Sequence, residues 1–82
     1  MQRSYVIQVK TESMNDFKRL NGLIVGFVIK GNVHLYLENN LKVLNQGDLF
    51  FVNHRDLYRF QFHKDSIICF VHFQLQYLAD KI

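Results

Sequence analysis

The sequence predicts an all-β domain, a small antiparallel barrel or jelly roll of about seven short strands. Apolar residues occur in short blocks or alternate with polar residues at a period of two, as they do in strands. Turn residues such as Gly, Asn and Asp separate these blocks, and the chain has no proline. Its 82 residues suffice for one domain, so residues 1–82 are expected to form a single folding unit.

The first half of the chain predicts two strands and a hairpin. The strands are Tyr5–Val9 and Leu23–Ile29. Between them, Ser13 and Asp16 have a spacing that resembles a helix capping box, which makes Ser13–Leu20 a candidate helix. The hairpin pairs residues 33–38 with residues 41–44 around Asn39-Asn40, because asparagine tolerates the positive φ that a two-residue loop demands.

The second half predicts three more strands, separated by turns. They are Leu49–Val52, Tyr58–Phe62 and Ile67–Leu75. From Gln76 onward the pattern changes from alternation to helical spacing and stops at Ile82. This predicts the beginning of a C-terminal helix, and the chain is expected to be a fragment of a longer protein.

Composition excludes several classes of protein. With 49% hydrophobic and 15% aromatic residues the chain is too apolar for intrinsic disorder. It has no apolar stretch of about 20 residues, so no membrane association and a cytoplasmic location are expected. Its net charge of +3 comes from scattered residues, which argues against direct nucleic-acid binding. The single cysteine cannot form an internal disulfide, and no paired Cys/His spacing offers a zinc site. Because a domain of this size usually needs such support, a partner surface or a flanking domain is expected to add stability.

The residues offer little for catalysis. No Ser or Cys is followed by a base at a recognisable spacing, and no pair of carboxylates recommends itself for acid–base chemistry. Asp48, after Gly47, is expected to accept backbone N–H groups in a turn. Cys69 shares its parity with apolar residues and is expected to be a small buried hydrophobe. No catalytic residue is assigned, and the chain is predicted not to be an enzyme.

Two segments carry a resemblance to a known family. Residues 22–31 before the hairpin and residues 46–53 (QGDLFFVN) after it resemble the small β-barrel of the cupin superfamily, and more narrowly the N-terminal sensor domain of AraC-family transcription regulators. With residues 16–22 and 54–60 included, the chain is similar to the amino-terminal part of the long staphylococcal AraC-type regulators associated with biofilm control.

The resemblance also shows what is missing. Cupin enzymes hold a divalent metal with His and Glu side chains from two motifs. When the motif glycines are aligned on Gly31 and Gly47, Ile24 stands at the glutamate position and Tyr58 at a histidine position. The remaining histidine positions hold Lys18 and Leu20, or alternatively Phe17 and Arg19. None of these can replace an imidazole or carboxylate ligand, so no metal and no other cofactor is expected.

The resemblance places Tyr58 on the inner surface of the barrel. Side chains alternate between the two faces of a strand, so Phe60 and Phe62 are also expected to point inward and Arg59 to face water. On the neighbouring strand the inward residues are expected to be Ile24, Gly26 and Val28. This interior is either a filled core or a cavity for a small effector.

The candidate ligand-binding residues are Tyr58, Phe60, Ile24 and His72. His72 is either a hydrogen-bonded structural histidine or a polar group in a cavity or dimer interface. The four histidines include no pair at i, i+2, which argues against a metal site built elsewhere.

Several strands are apolar on both faces, notably Leu23–Ile29, Leu49–Val52 and Ile67–Phe73. A sheet face open to water is usually polar, so a terminal helix, a second protomer or the rest of a longer protein is expected to cover the second face.

The resemblance implies a non-catalytic regulatory domain that senses a small-molecule effector, forms a homodimer, or does both. Contact with DNA would run only through a helix-turn-helix domain beyond Ile82. The alternative is a free-standing cupin-like enzyme, a metal-dependent isomerase or dioxygenase. A third reading, a small basic barrel that stacks single-stranded nucleic acid on Tyr and Phe, is disfavoured by the dispersed charge.

Overall fold

A computed structural model describes residues 5–75, which form eight strands in two antiparallel sheets. The strands are β1 (Tyr5–Lys10), β2 (Lys18–Arg19), β3 (Leu23–Lys30), β4 (Asn32–Leu37), β5 (Asn40–Asn45), β6 (Leu49–Val52), β7 (Leu57–Phe62) and β8 (Ile67–Phe73). The first sheet has the order β1-β8-β3-β6 and the second the order β2-β7-β4-β5. The predicted all-β class is confirmed.

The two sheets enclose one apolar core. Each strand sends alternate side chains inward, and the inward residues of both sheets are nearly inaccessible to solvent. The buried hydrophobic residues are Leu20, Ile24, Val28, Val33, Leu35, Leu44, Phe50, Val52, Phe60, Ile68 and Phe70. The expected inward placement of Ile24, Gly26 and Val28 is confirmed by their burial.

Gly26 lies where the first sheet is most crowded. It pairs with Phe50 on β6 and with Phe70 on β8. A Cβ atom at this position would lie 2.5 Å from the carbonyl oxygen of Cys69 and 2.6 Å from side-chain atoms of both phenylalanines. The missing side chain of Gly26 therefore leaves room for the Phe50 ring and for the Cβ of Phe70.

Aromatic rings join the two sheets across the core. The ring of Phe60 lies 5.3 Å from that of Phe50, 5.9 Å from that of Tyr58 and 6.3 Å from that of Phe62, each in an edge-on arrangement. Such geometry is favourable for aromatic pairs because the positive ring edge meets the negative ring face. The expected inward row of Tyr58, Phe60 and Phe62 is thus observed.

The outer face of the second sheet is mixed, with Arg59, Gln61 and His34 beside the exposed apolar residues Leu41 and Val43. The guanidinium carbon of Arg59 lies 4.6 Å from the ring centre of Tyr36 and 5.6 Å from that of Phe17. Arg59 Nη1 also donates a hydrogen bond of 2.8 Å to Gln61 Oε1. Arg59 does point away from the core, as expected, but it is held between two aromatic rings and is not simply solvated.

The outer face of the first sheet is apolar, and we call it the outer apolar face. The cross-strand register places twelve uncharged residues on it, with Lys30 opposite Ile67 at one end, beyond the bulge in β3. They are Tyr5, Ile7, Val9, Leu23, Val25, Phe27, Leu49, Phe51, Ile67, Cys69, Val71 and Phe73. Cys69 is therefore half-buried on an outward surface, and the expectation of a fully buried cysteine is wrong. Cys69 does lie on the same face of β8 as Ile67, Val71 and Phe73, as predicted, but this face points outward.

The candidate helix over Ser13–Leu20 is wrong. This segment is a loop followed by β2, whose residues Lys18 and Arg19 pair with Tyr58 and Leu57. Ser13 does not cap a helix, because its Oγ accepts the backbone N–H of Phe62 at 2.7 Å. Groups of this segment therefore form hydrogen bonds with β7 in place of the hydrogen bonds of a helix.

The hairpin is confirmed, but its turn lies one residue earlier than predicted. Leu37 pairs with Asn40, which leaves Glu38 and Asn39 as the loop. Among residues 5–75 the only non-glycine residues with positive φ are Arg55 and Asp65, so the expected positive φ at the asparagines is wrong.

Asp48 has the structural role that was predicted. Its Oδ2 accepts the backbone N–H of Asn45 at 2.7 Å and closes the turn at Gly47. Asp56 repeats the arrangement with the N–H of Asn53 at 2.8 Å.

The predicted C-terminal helix from Gln76 lies outside the described residues. Within residues 5–75, no helix is long and apolar enough to cross a bilayer.

Replacing Gly26 by Ala is expected to cost about 3 kcal/mol of unfolding free energy, because the new methyl group must displace a backbone carbonyl and two packed rings. Gly47→Ala is the matched control. Gly47 has a φ of 89° but no atom near its missing Cβ, so only backbone strain of about 1 kcal/mol is expected. Urea unfolding followed by circular dichroism measures both, and equal losses would contradict the crowding at Gly26.

Candidate functional site

The core leaves a small cavity near the strands β1 and β2, which form one edge of each sheet. Its volume is about 90 Å³, which is room for a few water molecules or a ligand of a few heavy atoms. The cavity is lined by Gln8, Lys10, Met14, Lys18, Tyr58, Phe60 and Phe70. The barrel interior is therefore mostly filled, with a small opening at one edge.

Residues from four strands meet at this cavity for reasons that the register explains. Gln8 pairs with Phe70 across β1 and β8, so both side chains lie on the inner face of the first sheet. Lys18 pairs with Tyr58 across β2 and β7, which places both on the inner face of the second sheet. Two edge strands thus bring polar groups to the border of an apolar core.

The chemistry of the cavity is divided. Phe60 and Phe70 form an apolar floor, since they are 1% and 7% exposed. Lys10 and Lys18 contribute two cationic side chains to its lining, and Gln8 contributes an amide side chain. Burial raises the pKa of the Tyr58 phenol above 10.0, so the group is a neutral hydrogen-bonding hydroxyl at physiological pH. The arrangement suits a small molecule with an apolar part and a negatively charged or acceptor group.

The predicted site residues do not all meet here. Tyr58 and Phe60 line the cavity, and Tyr58 faces Lys18 directly in the strand register. Ile24 belongs to the packed core, with 1% of its surface exposed. His72 pairs with Ile24 across β3 and β8, and its Nε2 lies 2.8 Å from the carbonyl oxygen of Asn21, a hydrogen bond to the loop before β3. Neither Ile24 nor His72 lines this cavity.

Sequence reasoning missed Gln8, Lys10, Met14 and Lys18. A signal existed for two of them, because the polar residues Gln8 and Lys10 alternate with the apolar Ile7 and Val9. Lys18 could not be placed, since its segment was interpreted as a helix.

Two other depressions lie outside the barrel interior. One, of about 120 Å³, is lined by Asn32, His34, Gln61, Phe62 and His63. The second is a more open groove of about 440 Å³, lined by Thr11, Glu12, Lys30, Asp65, Ser66 and Ile67. Neither contains a residue of the predicted site.

The donor set does not fit a divalent metal. Ile24, at the position where the cupin resemblance expects a glutamate, is an alkyl side chain in the core. Among residues 5–75, no group of three or more His, Cys, Asp or Glu side chains lies close enough to hold an ion. His54 lies in a loop, where its Nδ1 accepts the backbone N–H of Gly22 at 3.0 Å. His54 and His72 thus use their ring nitrogens to fasten loops to the barrel.

Sequence relatives of the chain are named as transcriptional regulators. An uncharacterized HTH-type transcriptional regulator of Staphylococcus aureus is 65% identical over 81 residues, which are 99% of this chain and 11% of that protein. A regulator of the same description from S. aureus strain COL is 64% identical over the same shares. The chain therefore spans about 11% of the length of the curated relatives it matches. No family model matches the chain.

Solved structures share the fold. A Salmonella typhimurium protein named for ethanolamine utilization superposes with a TM-score of 0.72 at 16% identity, covering 89% of this chain and 60% of that one. An RmlC-like cupin of Methanocaldococcus jannaschii has a TM-score of 0.67 at 20% identity, covering 92% and 72%. Apo-HppE has a TM-score of 0.67 at 25% identity, covering 85% and 42%. The fold is that of a small cupin-like barrel.

The raised pKa of Tyr58 predicts a pH dependence of stability. Because the folded pKa exceeds the unfolded value near 10, the folded state holds its proton more tightly, and stability falls as the pH rises from about 10 through the folded pKa. Unfolding free energies measured from pH 8 to 11.5 should decline less steeply for Tyr58→Phe than for the wild type. In Tyr36→Phe the phenol of Tyr58 is retained, so the wild-type decline should persist. Identical profiles for wild type and Tyr58→Phe would contradict the shift.

Proposed function

We propose that this chain is the regulatory domain of an AraC-type bacterial transcription regulator, without catalytic activity and without a metal. The observation that carries the proposal is 65% identity across 99% of the chain to proteins named HTH-type transcriptional regulators. The cupin-like barrel supports it, because the resemblance to AraC-type sensor domains predicts this fold. Contact with DNA belongs to a helix-turn-helix domain outside these 82 residues, and such a regulator acts in the cytoplasm.

The regulatory role has two parts, effector sensing and self-association. For the first part, the cavity at Tyr58 and Phe60 combines aromatic side chains with two lysines in its lining. Its volume of about 90 Å³ restricts an effector to a few heavy atoms unless the edge strands β1 and β2 move apart. For the second part, a homodimer would transmit the effector's presence through the relative orientation of two attached DNA-binding domains.

The alternative is a metal-dependent isomerase or dioxygenase. One observation favours it, because the solved cupins that share this fold include HppE with cobalt and substrate, at 27% identity and a TM-score of 0.65. The side chains disfavour it, because Ile24 and Tyr58 stand where the resemblance expects metal ligands and no other described donor cluster replaces them. Stoichiometric iron, manganese or zinc in the purified protein would reverse this ranking.

The decisive test of the regulator proposal is the reading frame downstream of Ile82. It is expected to encode paired helix-turn-helix units within a protein comparable in length to the S. aureus relatives. A stop codon directly after Ile82, with no partner gene for such a domain, would contradict the proposal.

Effector binding can be tested on the 82-residue chain with a panel of two- to four-carbon carboxylates, chosen because two lysines face the cavity. A ligand at one hundred times its Kd should stabilise the fold by about 2.7 kcal/mol, measurable as a rise in Tm. Lys18→Gln should abolish most of that rise. The matched control is Lys64→Gln, an exposed turn residue away from the cavity, which should keep it. Equal loss in both variants would mean nonspecific charge binding.

A further inference from the structure

The cavity beside Tyr58 is lined by positive charge that no acid balances. Lys10 and Lys18 both belong to its lining, and none of the seven lining residues is Asp or Glu. Within residues 5–75 neither lysine forms an ion pair. Glu12, two residues after Lys10, lines the open groove outside the barrel instead. Because lysine carries a positive charge at neutral pH, the lining holds two cationic side chains without a partner.

The two lysines belong to different sheets. Lys10 pairs with the buried Ile68 in the register of β1 and β8, so it lies on the inner face of the first sheet. Lys18 pairs with Tyr58 and lies on the inner face of the second sheet. The strands β1 and β2 are edge strands, and among the described residues no strand pairing joins one to the other. A ligand that contacts both lysines would therefore link the two sheets at an edge where the backbone does not.

The apolar floor decides which anions fit. The rings of Phe60 and Phe70 have no hydrogen-bond donor, so an anionic oxygen against them would lose its water without compensation. A carbon chain loses nothing there, because apolar surface leaves water favourably. The volume of about 90 Å³ admits only a short chain. Lys18 is exposed, so carboxylates beside the lysines would keep part of their hydration.

We propose that the ligand of this cavity is a dicarboxylate of three or four carbons, with one carboxylate beside Lys10 and the other beside Lys18. This inference rests on the effector-sensing part of the proposed function and names the chemical class of the effector. The two negative charges of the ligand balance the two lysines, whereas a monocarboxylate balances only one of them. The bound ligand links β1 to β2, so binding closes the open edge of the barrel.

Calorimetric titration of the 82-residue chain tests the ligand class. Malonate and succinate are compared with propionate and butyrate, the monocarboxylates with the same numbers of carbons. The dicarboxylates are expected to bind about tenfold more tightly, because they make one more charge-assisted contact. Inorganic phosphate, an anion without a carbon chain, is expected to bind more weakly than either dicarboxylate. Equal affinities for the matched acids, or phosphate as the tightest ligand, would overturn the inference.

Lys10→Gln and Lys18→Gln test whether both lysines take part. Each variant should weaken succinate binding about tenfold, to the level of butyrate, because each removes one of the two charged contacts. The matched control is Lys42→Gln. Lys42 lies opposite Leu35 on β5, the other edge strand of the second sheet, and does not line the cavity, so succinate affinity should stay unchanged. Circular dichroism melts verify that all three variants fold.

Closure of the edge gives a second readout, which nonspecific charge binding would not move. Saturating succinate should slow amide hydrogen exchange in β1 and β2 severalfold and leave exchange in β5 unchanged. Weakening by only one of the two cavity lysines, equal weakening by Lys42→Gln, or unchanged exchange in β1 and β2 would overturn the inference. Failure of every acid to bind would overturn it as well. These results would leave the regulator proposal intact, because that depends on the downstream reading frame.

Discussion

The packing of Phe50 and Phe70 around the missing side chain of Gly26, with Phe60 against Phe50, is the constraint on which the rest of the barrel depends. The three rings are buried, and the Phe50 ring on β6 meets the Phe60 ring on β7 at 5.3 Å, which connects the two sheets. Gly26 allows this because a Cβ would overlap both Phe50 and Phe70. The contact of these rings across the core contributes to the distance between the sheets. What remains open is the small cavity beside Tyr58, at the edge where the rings end.

The strands were largely predictable because their signal is local. Alternation placed Tyr58, Phe60 and Phe62 on one face, and the structure packs them in one row. The segment Ser13–Leu20 was not predictable in the same way. Its conformation depends on hydrogen bonds to β7, such as that from Met14 N–H to the carbonyl oxygen of Phe60 at 2.9 Å, between residues far apart in sequence. The capping-box spacing of Ser13 and Asp16 is a local pattern that these distant contacts override.

The candidate site was predictable only in part for the same reason. The inward parity of Tyr58 and Phe60 could be read from their own strand, and both line the cavity. Lys18 and Gln8 reach it from edge strands whose partners are fixed by tertiary pairing. Parity also cannot say which of two apolar faces of a strand is the inner one. That ambiguity produced the wrong expectation for Cys69, since both faces of β8 are apolar.

The two sheets differ in the chemistry of their outer faces. The second sheet has a mixed outer face, where Arg59 is held between Tyr36 and Phe17 and where Leu41 and Val43 are exposed. The first sheet is apolar on both sides, so its strands are compatible only with a position between two layers. One layer is the domain's own second sheet. The strand β8 has its inner face in the barrel, where Phe70 lines the cavity, and its outer face on the outer apolar face, where Cys69 lies one residue away. A displacement of Phe70 would therefore reach the outer apolar face through a single strand, with no intervening element.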